Sequence, residues 1–215
     1  MSSVPALLLD PVPPAPSPLR RAPSQRRARE RVERILATAT DIIAAEGSEA
    51  MRMAELARKA GVSIGSLYQY FPDKAAILRL LAERYNAQGR ACIAAALAAV
   101  RTRDDLVRAF GELVDTYYGL FLKEPVMRDI GSGVQADKGL REIDLADSRA
   151  NGAVLAATLA RLEPAADRAA LEARAFLIMQ LGEATMRLAI SVDRPEGDRL
   201  VASYKRMVLR ELAAG

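Results

Sequence analysis

Ser66, Tyr68 and Tyr70 stand at alternate positions of one short segment, and Lys74 follows four residues on, within MAELARKAGVSIGSLYQYFPDK, Met53 to Lys74. These hydroxyls and this ammonium group have no base or nucleophile set beside them, so the chemistry they suit is recognition rather than bond-making. Leu67 faces inward between them, and Phe71 closes a core. Ahead of them, Leu56, Ala57 and Ala60 make one apolar face before Gly61, which suits a left-handed backbone at a helix C′ position. Val62 plugs the angle that follows. Ser63 caps the next helix by accepting an orphan N–H of its first turn. Pro72 breaks that helix, and Asp73 caps a third from Lys74. Two short helices around such a turn set the second of them into a DNA major groove.

Composition removes most other chemistries. The chain of 215 residues contains no histidine, which excludes Ser-His-Asp and Cys-His catalysis and imidazole metal sites. Its single cysteine, Cys92, permits no intrachain disulfide and no cysteine metal cluster, and its place in ACIAAALAAV reads as a buried structural thiol. No catalytic residue, metal or cofactor is expected, and the chain does not read as an enzyme. No apolar run is long enough for a membrane span, and the patch Ala6 to Leu9 lacks the flanks of a secretory signal. A cytoplasmic protein is expected. Residues 1–85 hold 13 Lys and Arg against 9 Asp and Glu, whereas residues 86–215 hold 18 of each, so the whole net charge of +4 belongs to the first segment. A basic segment attracts phosphate through counterion release.

The elements that must position these residues are helical throughout. Residues 1–24 carry seven prolines and read as a disordered tail. Arg20, Arg21, Arg26, Arg27, Arg29 and Arg31 then form a basic arm able to follow phosphates or enter a minor groove. From Gln25 to Glu46, Val32, Ile35, Leu36, Ala39, Ile42 and Ile43 keep the 3.6-residue period, and Gly47 ends the helix. A helix from Asp73 carries Ile77, Leu78, Leu81 and Tyr85, with a break expected at Gly89. Further helices are expected near 86–100, 103–122, 125–134, 137–162, 166–192 and 196–213. The fold class is all-α: a DNA-binding domain over residues 25–85 and a helical domain over 86–215.

Polar residues that interrupt apolar faces mark a candidate ligand site in the second domain. Leu140, Ile143, Asp147, Ala150, Asn151 and Val154 share a face on which Asp147 and Asn151 are intrusions. Phe176, Met179, Gln180, Glu183 and Met186 make another mixed face, and Tyr117, Tyr118 and Phe121 add aromatic surface. An apolar cavity with a few convergent polar groups is the usual form of a small-molecule site. The candidate lining is Tyr117, Phe121, Asp147, Asn151, Phe176, Gln180 and Glu183. A buried Glu183 favours a cationic ligand, unless a neighbour such as Arg128, Arg141 or Arg187 satisfies it.

Ala57, Ala60-Gly61-Val62-Ser63, Gly65-Ser66-Leu67-Tyr68, Tyr70-Phe71 and Lys74, after a helix ending at Gly47, resemble the TetR family (TetR/AcrR type) of bacterial transcriptional regulators. The motif covers roughly residues 26 to 85, and the remainder is similar only in length and helical character. One departure is Arg52, where the family usually has a capping threonine. The resemblance implies DNA contacts by Arg52, Ser63, Ile64, Gly65, Ser66, Tyr68, Tyr70 and Lys74. In it Tyr68 meets a phosphate, Gly65 lets the backbone approach closely, and Ile64, Tyr70 and Ser66 are left to read base edges. It also implies a homodimer through the helices near 166–192 and 196–213. On the first of these, Leu171, Ala175, Ile178, Gly182, Thr185 and Ala189 make a small-residue stripe suited to the partner subunit. Leu177, Leu181, Ala184 and Leu188 then face the subunit's own core. The function so implied is a sequence-specific DNA-binding regulator, a repressor released from a double-stranded operator by a small-molecule effector. Two alternatives remain: a helical small-molecule-binding protein or enzyme with an incidental helix-turn-helix, and a DNA-binding protein whose second half only dimerises.

Overall fold

The computed structural model describes residues 23–133 and 137–214, in which nine helices and no strand occur. They are α1 (Pro23–Glu46), α2 (Met53–Lys59), α3 (Ile64–Tyr70), α4 (Lys74–Ala98), α5 (Arg103–Lys123), α6 (Pro125–Gly133), α7 (Lys138–Leu162), α8 (Arg168–Ser191) and α9 (Arg194–Ala214). The chain forms two compact units, one ending at Arg84 and the other beginning at Tyr85. The expected tail falls outside the described residues except at its end, where Pro23 and Ser24 already belong to α1. A proline suits a first helical turn because its missing N–H would have had no partner there.

The first unit is built on the periodic stripe of α1. Ile35, Leu36, Ala39, Ile42 and Ile43 are buried with Met51, Leu56, Leu67, Phe71, Ile77 and Leu81. Each large aliphatic side chain so buried contributes roughly 1.5–3 kcal/mol. Gly47 (φ 81°) and Gly61 (φ 66°) take the left-handed conformation that reverses the chain after α1 and α2, a region disfavoured for any residue with a Cβ. Ser63 accepts the Ser66 N–H at 3.1 Å, and Asp73 accepts the Ala76 N–H at 2.7 Å, so both expected caps form. Arg84 of α4 forks onto Glu33 of α1 with contacts of 2.5 and 2.7 Å, a bidentate pair.

In the second unit α8 is central, packing on α7 and α9, while α5 packs on α9. Asp137 and Asp167 cap α7 and α8, and Thr102 with Asp105 forms a reciprocal capping box at α5. Close approach is bought with glycine: a Cβ on Gly152 would lie 2.8 Å from the Cα of Phe176. One on Gly182 would lie 2.9 Å from the Tyr204 hydroxyl, which donates to the Ile178 carbonyl at 2.8 Å.

Two expectations are corrected here. Gly89 does not break a helix: α4 runs unbroken through it to Ala98, because the i to i−4 ladder tolerates glycine at a cost of only about 1 kcal/mol. The faces of α8 are the reverse of those assigned from sequence. Leu171, Ala175, Ile178, Gly182 and Ala189 are buried inside the subunit, where small residues admit α7 and α9. Leu177, Leu181 and Leu188 are the outward ones, 57%, 43% and 50% exposed.

Candidate functional site

α3 is seven residues long and buries one side chain, Leu67, which anchors it to the core of the first unit. The flank beside it presents Ile64, 44% exposed, and Tyr68, 49% exposed. Gln69 is also exposed, while Ser66 and Tyr70 are half-buried. A Cβ on Gly65 would meet nothing within 4 Å, so no packing inside the subunit requires glycine there. The Ser63 hydroxyl is engaged as the cap of α3. Ser66 has a neighbour that the sequence motif did not reveal: Arg31 of α1 approaches its hydroxyl with a guanidinium N–H at 3.4 Å. Their separation of 35 residues hides the pair from any local pattern.

Arg52 occupies the N-cap of α2 in extended conformation and makes no side-chain cap, since a guanidinium has no acceptor. It donates instead to the Glu49 carbonyl at 3.0 Å. The Lys74 ammonium, at the first residue of α4, donates to the carbonyls of Ser48 at 2.9 Å and Glu49 at 3.4 Å. Both cations therefore tie down the α1–α2 connection while remaining on the same unit as the exposed face of α3.

Inside the second unit a polar group assembles from four helices. Tyr117 of α5 donates to Glu183 of α8 at 2.5 Å. Arg187, one turn along α8, stands 3.7 Å from Glu183 and pairs with Asp144 of α7 at 2.7 Å. The Gln180 amide donates to the same Asp144 at 3.4 Å. Asp147 of α7 accepts from Arg90 of α4 at 2.6 Å and from Asn151 at 2.8 Å. Phe121 lies edge-on to Tyr117, with ring centroids 5.1 Å apart. Burial is the main force on two of these carboxyls, Glu183 and Asp147. It pushes Glu183 up to about 7 against the opposing hydrogen bond from Tyr117, and Asp147 up to about 6 against the attraction of Arg90. Burial and the adjoining Glu183 together raise Tyr117.

Of the seven residues expected around a ligand, Tyr117, Phe121, Asp147, Asn151, Gln180 and Glu183 fall in or beside this group. Phe176 does not join it: it packs on the α7 backbone at Gly152, with Arg149 over its ring at 4.5 Å, and lines an open groove of about 510 Å³ between α7 and α8. Asp144 and Arg90 were missed. Asp144 carried a signal, since it precedes Asp147 by three on the same helix; Arg90, 57 residues from its partner, carried none. Of the arginines considered as partners for Glu183, Arg187 is the one beside it. Among the described residues no group of His, Cys, Asp and Glu is placed to hold a metal ion, and no helix is long and apolar enough to cross a membrane.

Comparison with known proteins agrees with this architecture. Residues 104–215 match the family profile described as tetracyclin repressor-like, C-terminal domain, and residues 35–81 match that of bacterial regulatory proteins, tetR family. The nucleoid occlusion factor SlmA of Mannheimia succiniciproducens is 36% identical over 78 residues, a match covering 36% of this chain and 36% of that protein. Among solved structures, a TetR-family transcriptional regulator from Pectobacterium atrosepticum superposes with a TM-score of 0.70 at 19% identity, over 91% of this chain and 99% of that one. Thermus thermophilus FadR, a TetR-family transcriptional repressor in complex with lauroyl-CoA, superposes with a TM-score of 0.63 at 21% identity, over 84% and 92% of the two chains. At these identities the structures speak for the fold.

Proposed function

The chain belongs to the TetR family of bacterial regulatory proteins, DNA-binding transcriptional regulators with a helix-turn-helix, and we propose that this member is a homodimeric repressor released from its operator by a small-molecule effector. The observation that carries the DNA reading is α3: Leu67 holds it to the core, and the flank beside Leu67 leaves Ile64 and Tyr68 about half exposed. A monomer gains nothing by exposing a large aliphatic and an aromatic side by side, whereas a major groove offers thymine methyls, base edges and phosphates to such a pair. The open space above Gly65 admits a close backbone approach. In this reading Arg52, Ser63, Ser66, Tyr70 and Lys74 complete the contact surface. Arg31 joins them, orienting the Ser66 hydroxyl.

The outward leucines of α8, together with Met207 of α9 at 66% exposure, support pairing with a second copy through these two helices. Two copies place two recognition helices in successive major grooves about 34–36 Å apart on a near-palindromic site. An effector in the second unit favours a dimer geometry with a different spacing. Coupling of about 1–3 kcal/mol is enough to change operator affinity about five- to 150-fold. Genomic DNA as the target fits a cytoplasmic location.

The test is a mobility shift on the DNA upstream of its own gene and on a selected pool of random duplexes, across a salt series. Binding that survives nonspecific competitor and weakens steeply with salt supports the reading. Equal, weak binding to every sequence overturns it.

A further inference from the structure

The interior polar group of the second unit has more negative than positive charge and leaves two acceptors unused. Among the described residues Asp144, Asp147 and Glu183 face only Arg90 and Arg187, so full ionisation leaves one carboxylate in excess. Arg187 is held by Asp144 at 2.7 Å and Arg90 by Asp147 at 2.6 Å, which leaves Glu183 with a phenol as its close partner. Asn151 is 6% exposed, and its NH₂ donates to Asp147 at 2.8 Å. That bond fixes the sense of the amide, so the atom left buried and unpartnered is its carbonyl oxygen, Oδ1. The same holds for Gln180, whose NH₂ faces Asp144 while Oε1 is buried without a donor.

A buried acceptor without a donor costs about 1–3 kcal/mol, and an uncompensated buried carboxylate costs more. Both costs disappear when one group brings positive charge and N–H donors together. The carboxylates are not arranged as metal ligands, and the edge-on Tyr117–Phe121 pair beside them offers aromatic surface to an organic frame.

We propose that this site binds a protonated organic amine on an aromatic or apolar frame, with Glu183 as its counter-ion and the carbonyl oxygens of Asn151 and Gln180 accepting its N–H groups. The inference rests on the second unit being the effector domain and supplies the chemical class of that effector.

Calorimetric titration of the full chain tests it with benzylamine, 2-phenylethylamine and tyramine, each beside the neutral alcohol of the same frame, and with phenylacetate. At least one ammonium ion is expected to bind about tenfold or more tighter than its alcohol, the scale of one charge-assisted hydrogen bond. Glu183→Gln is expected to remove that preference. A second readout uses the native chain alone. Glu183 faces Tyr117, Asp144, Asp147, Arg187 and Tyr204, with Arg90 behind Asp147, and burial pushes its carboxyl up to about 7. An ammonium ion that ionises it releases a proton, so the binding heat at pH 7 varies with the ionisation heat of the buffer; an alcohol releases none. Binding of every amine weaker than about 1 mM, or equal affinity for amine and alcohol, overturns the proposal. Amine binding that never alters DNA affinity leaves the site standing and sinks the ligand-released repressor. DNA release by a neutral or anionic compound, with no amine bound, does the opposite.

Discussion

Gly152 and Phe176 bring α7 and α8 together backbone to backbone: a Cβ on the first would stand 2.8 Å from the Cα and 3.0 Å from the amide nitrogen of the second. No rotamer change relieves a clash with main-chain atoms, so α7 would have to move away from α8. Gly152→Ala is therefore expected to destabilise the protein by about 1–3 kcal/mol from overpacking, outweighing the gain of about 1 kcal/mol in helix propensity. Urea denaturation reads the difference directly. A stabilised variant would show that the two helices do not touch there.

On α3, stability and recognition are expected to separate by face. Leu67, fully buried, should lose about 2–5 kcal/mol on change to alanine. Ile64→Ala and Tyr68→Ala, on the exposed face, should leave the melting temperature within a degree or two while lowering DNA affinity about tenfold, the effect of one lost contact of about 1.4 kcal/mol. Lys74→Ala should affect both properties, because its ammonium holds the carbonyls of Ser48 and Glu49. Mobility shift and thermal melting of the same four variants decide the matter.

Leu181 and Leu188 face outward, whereas Ile178 faces the core. Leu181→Glu and Leu188→Glu are expected to yield a folded monomer by light scattering, with helical circular dichroism retained. Ile178→Glu buries an unpaired carboxylate and is expected to unfold the second unit. A dimer that survives the first two changes would move the subunit interface elsewhere.

Histidine is absent, and among the described residues burial brings two carboxyls into the range between pH 5 and 8: Asp147, pushed up to about 6, and Glu183, pushed up to about 7. An acid whose folded pKa exceeds its unfolded value binds more protons when folded, so stability falls as pH rises from the unfolded value through the folded one. The protein is expected to lose on the order of a few kcal/mol of unfolding free energy between about pH 5 and pH 8. Glu33 and Asp105 are lowered by hydrogen bonds and act in the opposite sense, but at more acidic pH. Glu183→Gln should flatten the upper part of the slope, as seen in denaturation midpoints at pH 5.5, 6.5 and 8. A slope unchanged by that substitution would exclude Glu183 as its source.

The elements around α3 were legible in the sequence because their determinants are local: Ser63 caps at three residues' distance, as does Asp73, and Gly61 supplies its left-handed turn within one residue. The faces of α8 were not. That helix is apolar on two sides, and periodicity alone does not say which side a neighbour covers. Small residues such as Gly182 signal close approach, but the approaching group is Tyr204 of the same subunit, not a second copy. The interior polar group was half legible. Asp147, Asn151 and Glu183 interrupt apolar stripes and stand out, whereas Arg90 lies on an alanine-rich helix where an arginine reads as solvated.

Gly65 has empty space where a side chain would begin. A bulky residue there should leave folding and subunit pairing intact while standing between α3 and any duplex. Such a variant would be dominant-negative: each altered subunit that joins a native one disables the pair. Function would then fall with the square of the native fraction, so an equal mixture would retain about a quarter of its active dimers.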